Sequence, residues 1–364
     1  LVVNGLSEAE EGFYSLAIFN DAGSVISSRA KLSMVSSGAT MSDDLVVHLK
    51  LDETSGTTAS NSGSGTDTAT IYDDYGEPNE EPVGADGLIG NAILINGADS
   101  ETYAFGVLDN YPKIKDNGTV SLWLNTPGID GESAVVVRNG SAINIVTENQ
   151  FQITITNNID GEPVLGCQIS AGPNVINIVD TEALAFDEWV HVALTVDGGQ
   201  LRFYKNGKLI GVTDYLDRIN GSTEDWLAIG ANLTLVQEEG EDPYFAMDEA
   251  NPQAFSGSLD DLALWHVARG ADEIQAIYNK GIGGEDASKA AVTIPDFVEP
   301  EETVEPDAPT ISLVRNGDGT VTVTYTGTLQ AAATVNGPWE DVAGATSPLT
   351  VAADAPATFA RSRN

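Results

Sequence analysis

Cysteine and long apolar runs are what this sequence most conspicuously lacks. It has one cysteine, Cys167, in 364 residues, which excludes an internal disulfide framework. No histidine lies near Cys167 in the sequence, so we expect a small, buried, apolar residue rather than a nucleophile. No apolar run approaches the roughly 18 residues that a membrane-spanning helix needs. The sequence therefore predicts a chain that does not insert into a membrane.

Basic residues are also scarce. Sixteen Lys and Arg stand against 55 Asp and Glu, for a formal net charge of −39. Nucleic acids and anionic membranes are bound through basic surfaces, so both are excluded as partners. Two interpretations of the acidity remain open: dependence on divalent cations, and a strongly solvated, salt-tolerant surface.

Short strand-like segments make up most of the sequence. They are separated by Gly, Asn and Asp, and almost no helical pattern occurs before residue 271. This pattern predicts an all-β protein built from sandwiches. Its length predicts two or three domains. Leu1 opens directly on strand-like sequence without a signal peptide, which we interpret as a mature piece or fragment of a longer chain.

The most informative stretch is Phe255–Trp265, which reads as an apolar strand interrupted by Asp260 and Asp261. Side chains alternate along a strand, so the two carboxylates are expected to point to opposite faces. A carboxylate directed inward is costly unless it is paired or binds a metal. A short helix is predicted next, with an apolar stripe from Ile274 to Tyr278 and Gly281 as its stop signal.

Four stretches in chain order resemble laminin-G-like domains of the concanavalin A-like lectin/glucanase superfamily. The resemblance covers about residues 42–282 and implies a jelly-roll β-sandwich as the main domain, which we bound at 39–285. The stretches are Leu45-Val-Val-His-Leu-Lys-Leu-Asp-Glu-Thr-Ser-Gly56, Gly118-Thr-Val-Ser-Leu-Trp-Leu124, Trp189-Val-His-Val-Ala-Leu-Thr-Val-Asp197 and Gly257-x-Leu-Asp-Asp-Leu-Ala-Leu-Trp265.

The resemblance implies a calcium ion that clamps the first strand of the jelly roll to its last. The matching positions are Asp52, Glu53 and Asp260, with Gly56 and neighbouring carbonyls completing the shell. Calcium takes six to eight hard oxygen ligands, which acids and turn carbonyls supply. The alternative is that Glu53 caps a turn and Asp260 accepts backbone N–H bonds without metal. For the acidic loop 238–249, a solvated loop is favoured over a second calcium site.

The flanking segments resemble other β modules. Residues 1–38 resemble the last three strands of an immunoglobulin-like domain, with Tyr14 as corner tyrosine and Leu16 in place of the usual cysteine. Such a half-domain leaves an open edge, to be completed by upstream sequence or by another chain. Residues 286–308 are interpreted as an acidic Pro/Glu linker. Residues 309–364 resemble a small β domain found on large secreted bacterial proteins.

Catalysis is not expected. Retaining glycosidases place two carboxylates about 5–5.5 Å apart, and the Glu-x-Asp-x-x-Glu run of the superfamily's hydrolases is absent here. No Gly-x-Ser-x-Gly elbow occurs either. The three histidines, His48, His191 and His266, fall on or beside strands and are interpreted as structural. A glycoside hydrolase therefore stays the least favoured function.

Two functional hypotheses remain, both placing the protein at a bacterial cell surface or outside the cell. The first is a non-catalytic adhesion module, stabilised by Ca²⁺, that binds a polysaccharide or a cell-surface protein. Aromatic residues in acidic loops, Tyr75, Tyr244 and Phe245, are its candidate contacts, whereas Trp123, Trp189 and Trp226 are expected in the core. The second is a fibre or sheath subunit whose copies join head to tail by strand exchange.

Overall fold

The computed structural model describes residues 12–14, 17–20, 23–26, 30–32, 40–73, 78, 84–96, 105–129, 131–140, 150–292, 309–353 and 358–363. The chain forms two compact units, Leu1–Ile294 and Pro295–Asn364. The division falls inside the stretch interpreted as a linker. No helix in the described part of the chain is long and apolar enough to cross a membrane.

Four short strands precede the jelly roll. They are β1 (Gly12–Tyr14), β2 (Ala17–Asn20), β3 (Gly23–Ile26) and β4 (Ala30–Leu32). Strand β1 pairs with β4 and β2 with β3, both antiparallel. Leu16, residues 1–11 and residues 33–38 lie outside the described residues, so the immunoglobulin-like interpretation of this segment stays a prediction.

The jelly roll is built from short antiparallel strands, as the sequence predicts. In chain order they are β5 (Leu45–Leu49), β6 (Thr58–Ala59), β7 (Ala69–Tyr72), β8 (Gly84–Asp86), β9 (Asn91–Asn96), β10 (Phe105–Leu108), β11 (Asn117–Asn125), β12 (Ser133–Asn139), β13 (Phe151–Asn157), β14 (Pro163–Ala171), β15 (Asn174–Val179), β16 (Val190–Asp197), β17 (Gln200–Lys205), β18 (Lys208–Asp214), β19 (Leu227–Ile229), β20 (Leu233–Val236), β21 (Tyr244–Met247) and β22 (Ser256–Trp265).

All of these strands except β20 and β21 form two large sheets. The front sheet has the order β15-β14-β13-β12-β19-β10-β7-β6, and the back sheet has the order β18-β17-β16-β11-β22-β9-β8. Strand β22 pairs with β11 along one side and with both β9 and β5 along the other. The last strand of the domain is thus central to its sheet, because it carries the pairing of the first strand as well.

The main core lies between the two sheets. Alternate residues of each strand supply it, for example Ile153 on β13 and Leu165 on β14 from the front sheet, and Leu194 on β16 from the back sheet. Cys167 is one of these buried residues, and burial raises the pKa of its thiol. The predicted all-β jelly-roll class is therefore confirmed, as is the buried position of Cys167.

A helix covers the outer face of the back sheet. Helix α1 (Ala271–Ile282) buries Ile274 and Ile277 and ends at Gly283, and a 3-10 helix (Ala287–Lys289) follows. Gly281 does not stop the helix, as the sequence suggested, but lies within its last turn. A Cβ atom there would lie 2.4 Å from Cζ2 of Trp123. The glycine therefore serves the close approach of α1 to the buried indole ring.

A hairpin covers part of the outer face of the front sheet. The hairpin β20–β21 packs its apolar side against strands β10 and β19. Its cluster contains Phe105, Val107, Trp226, Ala228, Ala231, Leu233 and Phe245, with Tyr72 and Met247 beside them. The confirmed core positions of Trp123 and Trp226 thus belong to two different layers. The core prediction for Trp189 is wrong, because this residue is only half-buried in the loop that precedes β16.

The C-terminal unit contains two small antiparallel sheets. Its strands are β23 (Ile311–Arg315), β24 (Thr320–Tyr325), β25 (Thr328–Ala332), β26 (Glu340–Asp341), β27 (Leu349–Ala352) and β28 (Phe359–Arg363). One sheet has the order β23-β24-β27 and the other β26-β25-β28.

The contact between Gly281 and Trp123 predicts a large effect of one methyl group. Gly281→Ala should lower the free energy of unfolding by about 1–3 kcal/mol, because the overpacked side chain meets a buried ring that cannot move aside. Gly221→Ala is the matched control, since a Cβ atom there has nothing within 4 Å. Urea unfolding of both variants measures the difference, and equal stabilities would refute the close-approach explanation.

Candidate functional site

A row of polar side chains crosses the uncovered part of the front sheet. Arg138 on β12 lies opposite Gln152 on β13, which lies opposite Gln168 on β14, which in turn lies opposite Asn177 on β15. Residues paired in register share a face of the sheet. We call the first three of these residues, Arg138, Gln152 and Gln168, the amide row, and Asn177 lies beyond its end. The inward neighbours of Gln152 and Gln168 lie in the main core, so the row faces outward.

Arg138 anchors the row in an unusual way. Its side chain is 2% exposed, and its three nitrogens donate to neutral amide oxygens only. Nε bonds Gln152 Oε1 at 2.7 Å, Nη1 bonds Asn232 Oδ1 at 2.6 Å and Nη2 bonds Gln253 Oε1 at 3.2 Å. Burial lowers the pKa of Arg138 to about 10, an effect that the charge of Asp248 partly offsets. The guanidinium is therefore a buried cation held by dipoles rather than by a directly bonded carboxylate.

The guanidinium also fixes the direction of the row, because it can donate hydrogen bonds but not accept them. Gln152 must turn its oxygen toward Arg138, so its amide nitrogen faces Gln168 and bonds Oε1 at 3.4 Å. Gln168 is then oriented in the same sense. Its Nε2 is buried and has no hydrogen-bond partner among the described residues. The row ends in an unsatisfied donor.

Beyond Gln168 the surface is open and partly apolar. The edge strand β15 exposes Asn177 and, on the same face, Val175 and Val179, which are 42% and 44% exposed. Gly166 lies opposite Val179 and leaves a dip where a side chain would stand. We call this surface, from Gln152 to β15, the front strip.

Acidic residues are absent from this face. Strands β12, β13, β14 and β15 contain no aspartate or glutamate, although the chain has 55. The pair of carboxylates that a glycosidase requires therefore cannot stand on these strands. The arrangement can donate hydrogen bonds and contact apolar surface, but it offers no acid or base.

The aromatic residues predicted as ligand contacts lie elsewhere. Tyr244 is exposed on β21, where its hydroxyl lies 3.2 Å from Glu238 Oε1. Phe245 is buried and packs edge-on against Trp226 at 5.2 Å between ring centroids, a position that suits a core residue. Tyr75 lies outside the described residues. The sequence does not predict the amide row, because its residues are far apart in the chain and become neighbours only through the register of the paired strands.

The two aspartates of β22 do not alternate as expected. Leu259 and Leu262 both lie in the main core, and Asp261 has a left-handed backbone with φ of 51°. The register against β11 shifts at this point, which defines a β-bulge. Asp260 and Asp261 therefore share the helix-covered side of the sheet, and the expectation of opposite faces is wrong.

Asp260 is fully buried and only half satisfied. Its Oδ2 accepts the backbone N–H of Ile89 at 2.9 Å, whereas Oδ1 has no partner among the described residues. Burial raises the pKa of Asp260 to about 7, and the charges of Asp261 and Asp52 add to the shift. A buried oxygen of this kind is suited to a cation.

The other positions proposed for calcium fit it in part. Asp52 Oδ1 accepts the N–H of Asn91 at 2.7 Å. Glu53 Oε1 accepts that of Ser60 at 2.7 Å, leaving Oε2 buried and unpaired. Gly56 is exposed in a turn. No group of three or more acidic, histidine or cysteine side chains that could hold a metal occurs in the described part of the chain, so calcium would need backbone carbonyls as well.

A constellation of serine, histidine and aspartate also occurs, but it lacks an oxyanion hole. Ser62 Oγ lies 2.9 Å from His48 Nδ1, and His48 Nε2 lies 2.7 Å from Asp261 Oδ1. The backbone N–H groups of residues 62–65 are all used in bonds to other acceptors, so none can stabilise an oxyanion. The network instead ties β5 to β22 and to the N–H of Ala287.

The remaining histidines hold structural positions. His191 is completely buried, its Nε2 lies 2.8 Å from Ser121 Oγ, and burial lowers its pKa to about 3. It therefore stays neutral at physiological pH. His266 Nε2 lies 3.0 Å from the carbonyl of Pro112.

The raised pKa of Asp260 predicts how stability depends on pH without metal. An unfolded aspartate has a pKa of about 3.9, so between about pH 4 and pH 7 the folded state holds a proton that the unfolded state lacks. This contribution to stability falls as pH rises through that window. Relative to wild type, Asp260→Asn should therefore become more stable by about 3 kcal/mol as the pH rises from 4.5 to 7.5.

Urea unfolding in chelator at both pH values measures this change. Asp160→Asn, at an exposed turn, is the control and should follow wild type throughout. A stability difference between Asp260→Asn and wild type that does not change with pH would show that Asp260 is ionised in the folded chain.

Comparison with known proteins supports the fold. Residues 100–275 match the family model described as concanavalin A-like lectin/glucanases superfamily. No curated protein matches the sequence. One similar solved structure is domain 4 of AbnA, an extracellular arabinanase of Geobacillus stearothermophilus, in complex with arabinotriose. It is 19% identical, with a TM-score of 0.46, over 64% of this chain and 97% of that one.

Two further similar structures come from a mosquitocidal protein and from a botulinum neurotoxin. The binding domain of Paraclostridial Mosquitocidal Protein 1 is 12% identical, with a TM-score of 0.47, over 86% of this chain and 71% of that one. A botulinum neurotoxin type C structure is 12% identical, with a TM-score of 0.44, over 66% of this chain and 52% of that one. At these identities and scores, none of the three carries a functional argument.

Proposed function

We propose that the protein, whose residues 100–275 match the family model described as concanavalin A-like lectin/glucanases superfamily, is a non-catalytic glycan-binding module. The front strip is its binding face. Its partner is a polysaccharide, and its place is outside the cell or on a bacterial cell surface.

The observation that carries the proposal is the unsatisfied donor at the end of the amide row. Leaving Gln168 Nε2 without a partner among the described residues costs about 1–3 kcal/mol. This nitrogen is closed to solvent in the free chain, so a change of rotamer of the half-buried Gln168 side chain would bring it to a ligand oxygen that removes the cost. Saccharides present many hydroxyl and ring oxygens that accept such bonds. The exposed methyl groups of Val175 and Val179 suit the C–H face of a sugar ring, so the strip combines both kinds of contact that a saccharide needs.

The absence of acids on strands β12–β15 supports binding without hydrolysis. It also keeps the strip free of the negative charge that dominates the rest of the chain, which carries a formal net charge of −39. A sugar with hydroxyl or carboxylate oxygens can therefore approach without local repulsion. A fibre subunit stays an alternative prediction, and no feature of the described residues favours it over binding.

The orientation of the Gln152 and Gln168 amides can be tested with a single substitution. Gln152→Glu would place a carboxylate on Arg138 and give Gln168 an acceptor for its nitrogen, which would turn the Gln168 oxygen outward. We expect this variant to be more stable than wild type, because a buried cation gains a partner, yet to bind glycan at least tenfold more weakly.

The measurement is retention on immobilised arabinan, xylan, mixed-linkage glucan and polygalacturonate, alongside thermal melting. Gln275→Glu on helix α1 is the matched control and should bind as wild type does. Gln168→Met should also lose binding, since it removes the donor with little change in volume. If Gln152→Glu and Gln168→Met both bind normally, the front strip is not the binding face.

A structural calcium ion is the second part of the proposal. The unpaired oxygens of Asp260 and Glu53, together with nearby backbone carbonyls, would hold it, and the ion would supply charge neutralisation at the bulge of β22. Its role is to stabilise the domain, since these residues lie on the back sheet and its flanking loops, apart from the front strip.

Calcium should therefore raise the melting temperature of wild type by several degrees at pH 7.5. Asp260→Asn and Glu53→Gln should each lose that response, whereas Glu238→Gln in the exposed hairpin loop should keep it. A wild-type melting curve that is the same in calcium and in chelator would contradict the metal site.

A further inference from the structure

The C-terminal unit contains an apolar cavity that the side chains of its described residues do not fill. The cavity has a volume of about 500 Å³ and lies among residues of both small sheets. Pockets of about 300–1,000 Å³ with apolar walls are typical small-molecule sites. This one is unrelated to the front strip, which belongs to the other compact unit.

The strand register explains why the space is empty. On one sheet, Leu313 lies in a row with Val323 and Leu349, and Arg315 lies in the next row with Val321 and Val351. On the other sheet, the paired residues that line the cavity are Ala331 and Ala360. Alanine side chains are too short to reach across the gap between two sheets, which are normally about 10 Å apart.

The consequence is apolar surface left in contact with solvent. Leu313 is 61% exposed and Val351 is 43% exposed, although both line the cavity. Within this unit, the buried hydrophobic residues among those described are only Val323, Tyr325, Leu329 and Ala332. An unfilled apolar cavity forfeits both transfer free energy and dispersion contacts, so an apolar occupant would be favoured.

The charge at the cavity indicates what kind of occupant. Among the described residues of the lining, Arg315 is the only charged one, and it stands at the end of β23 in an exposed position. The described residues include no ion pair or hydrogen-bond partner for its side chain. A guanidinium beside an apolar cavity matches a ligand with a hydrocarbon chain and one anionic group, because Arg binds carboxylates in bidentate fashion.

We propose that this cavity binds a single-chain anionic amphiphile, a long-chain carboxylate, with its hydrocarbon chain between the two sheets and its carboxylate on Arg315. The site would give the chain an attachment to lipid-like molecules that is independent of glycan binding.

The test measures by calorimetry the binding of dodecanoate, below its critical micelle concentration, to the full chain. Wild type should bind one dodecanoate per chain. Ala331→Leu, which fills the cavity, should weaken binding at least tenfold while raising the melting temperature of the C-terminal unit. Arg315→Gln should weaken dodecanoate about tenfold and leave the binding of uncharged dodecyl maltoside unchanged. Arg218→Gln, an exposed arginine of the jelly roll, is the matched control and should bind dodecanoate as wild type does.

Several results would overturn the proposal. Wild-type binding by Ala331→Leu would place the amphiphile elsewhere, and if that variant fails to fold, Ala360→Val serves the same purpose. If Arg315→Gln loses the binding of dodecanoate and of dodecyl maltoside equally, the charge of Arg315 has no role in binding. Concentration-dependent dimers of wild type that Ala331→Leu abolishes would assign the cavity to a second copy of the chain instead.

Discussion

Desolvation of a few charged side chains is the constraint that shapes both faces of the jelly roll. Arg138 is buried on the front sheet and is satisfied by neutral amides. Asp261 is buried on the back sheet and is satisfied by His48 and a backbone N–H. Asp260 beside it keeps one oxygen unpaired. Each charge costs free energy unless the surrounding strands orient dipoles or counter-charges toward it, and those orientations determine what each face offers a ligand.

On the front sheet, this constraint makes the buried cation Arg138 fix the orientation of the amide side chains beside it. Because the guanidinium only donates, every amide along the row points the same way, and the last one presents a donor without an acceptor. On the back sheet the same constraint produces a site for a cation or a proton at Asp260. Glycan binding and calcium binding are thus proposed on different faces for related physical reasons. The fold alone would permit catalysis, but the strands around the amide row carry no carboxylate to perform it.

The sequence predicts what depends on local pattern. The all-β class, the jelly roll, the buried Cys167 and the core positions of Trp123 and Trp226 follow from alternation and from four motifs in order. The bulge at Asp261 could not be predicted, because one extra residue in a strand leaves no periodic signal. Gly281 was misread because a glycine near a helix end also marks close packing. The amide row could not be predicted from the sequence, since Arg138, Gln152 and Gln168 are brought together only by the register of paired strands. The lack of acidic residues in the three consecutive strands that carry them was nevertheless a usable signal.

The most direct test of the account is a crystal structure of the chain with whichever polysaccharide fragment it retains most strongly. The account predicts that the sugar lies across β13, β14 and β15, with an oxygen within hydrogen-bonding distance of Gln168 Nε2 and ring carbons against Val175 or Val179. A sugar bound at the loops around Tyr244, or on the back sheet, with the front strip empty, would contradict it.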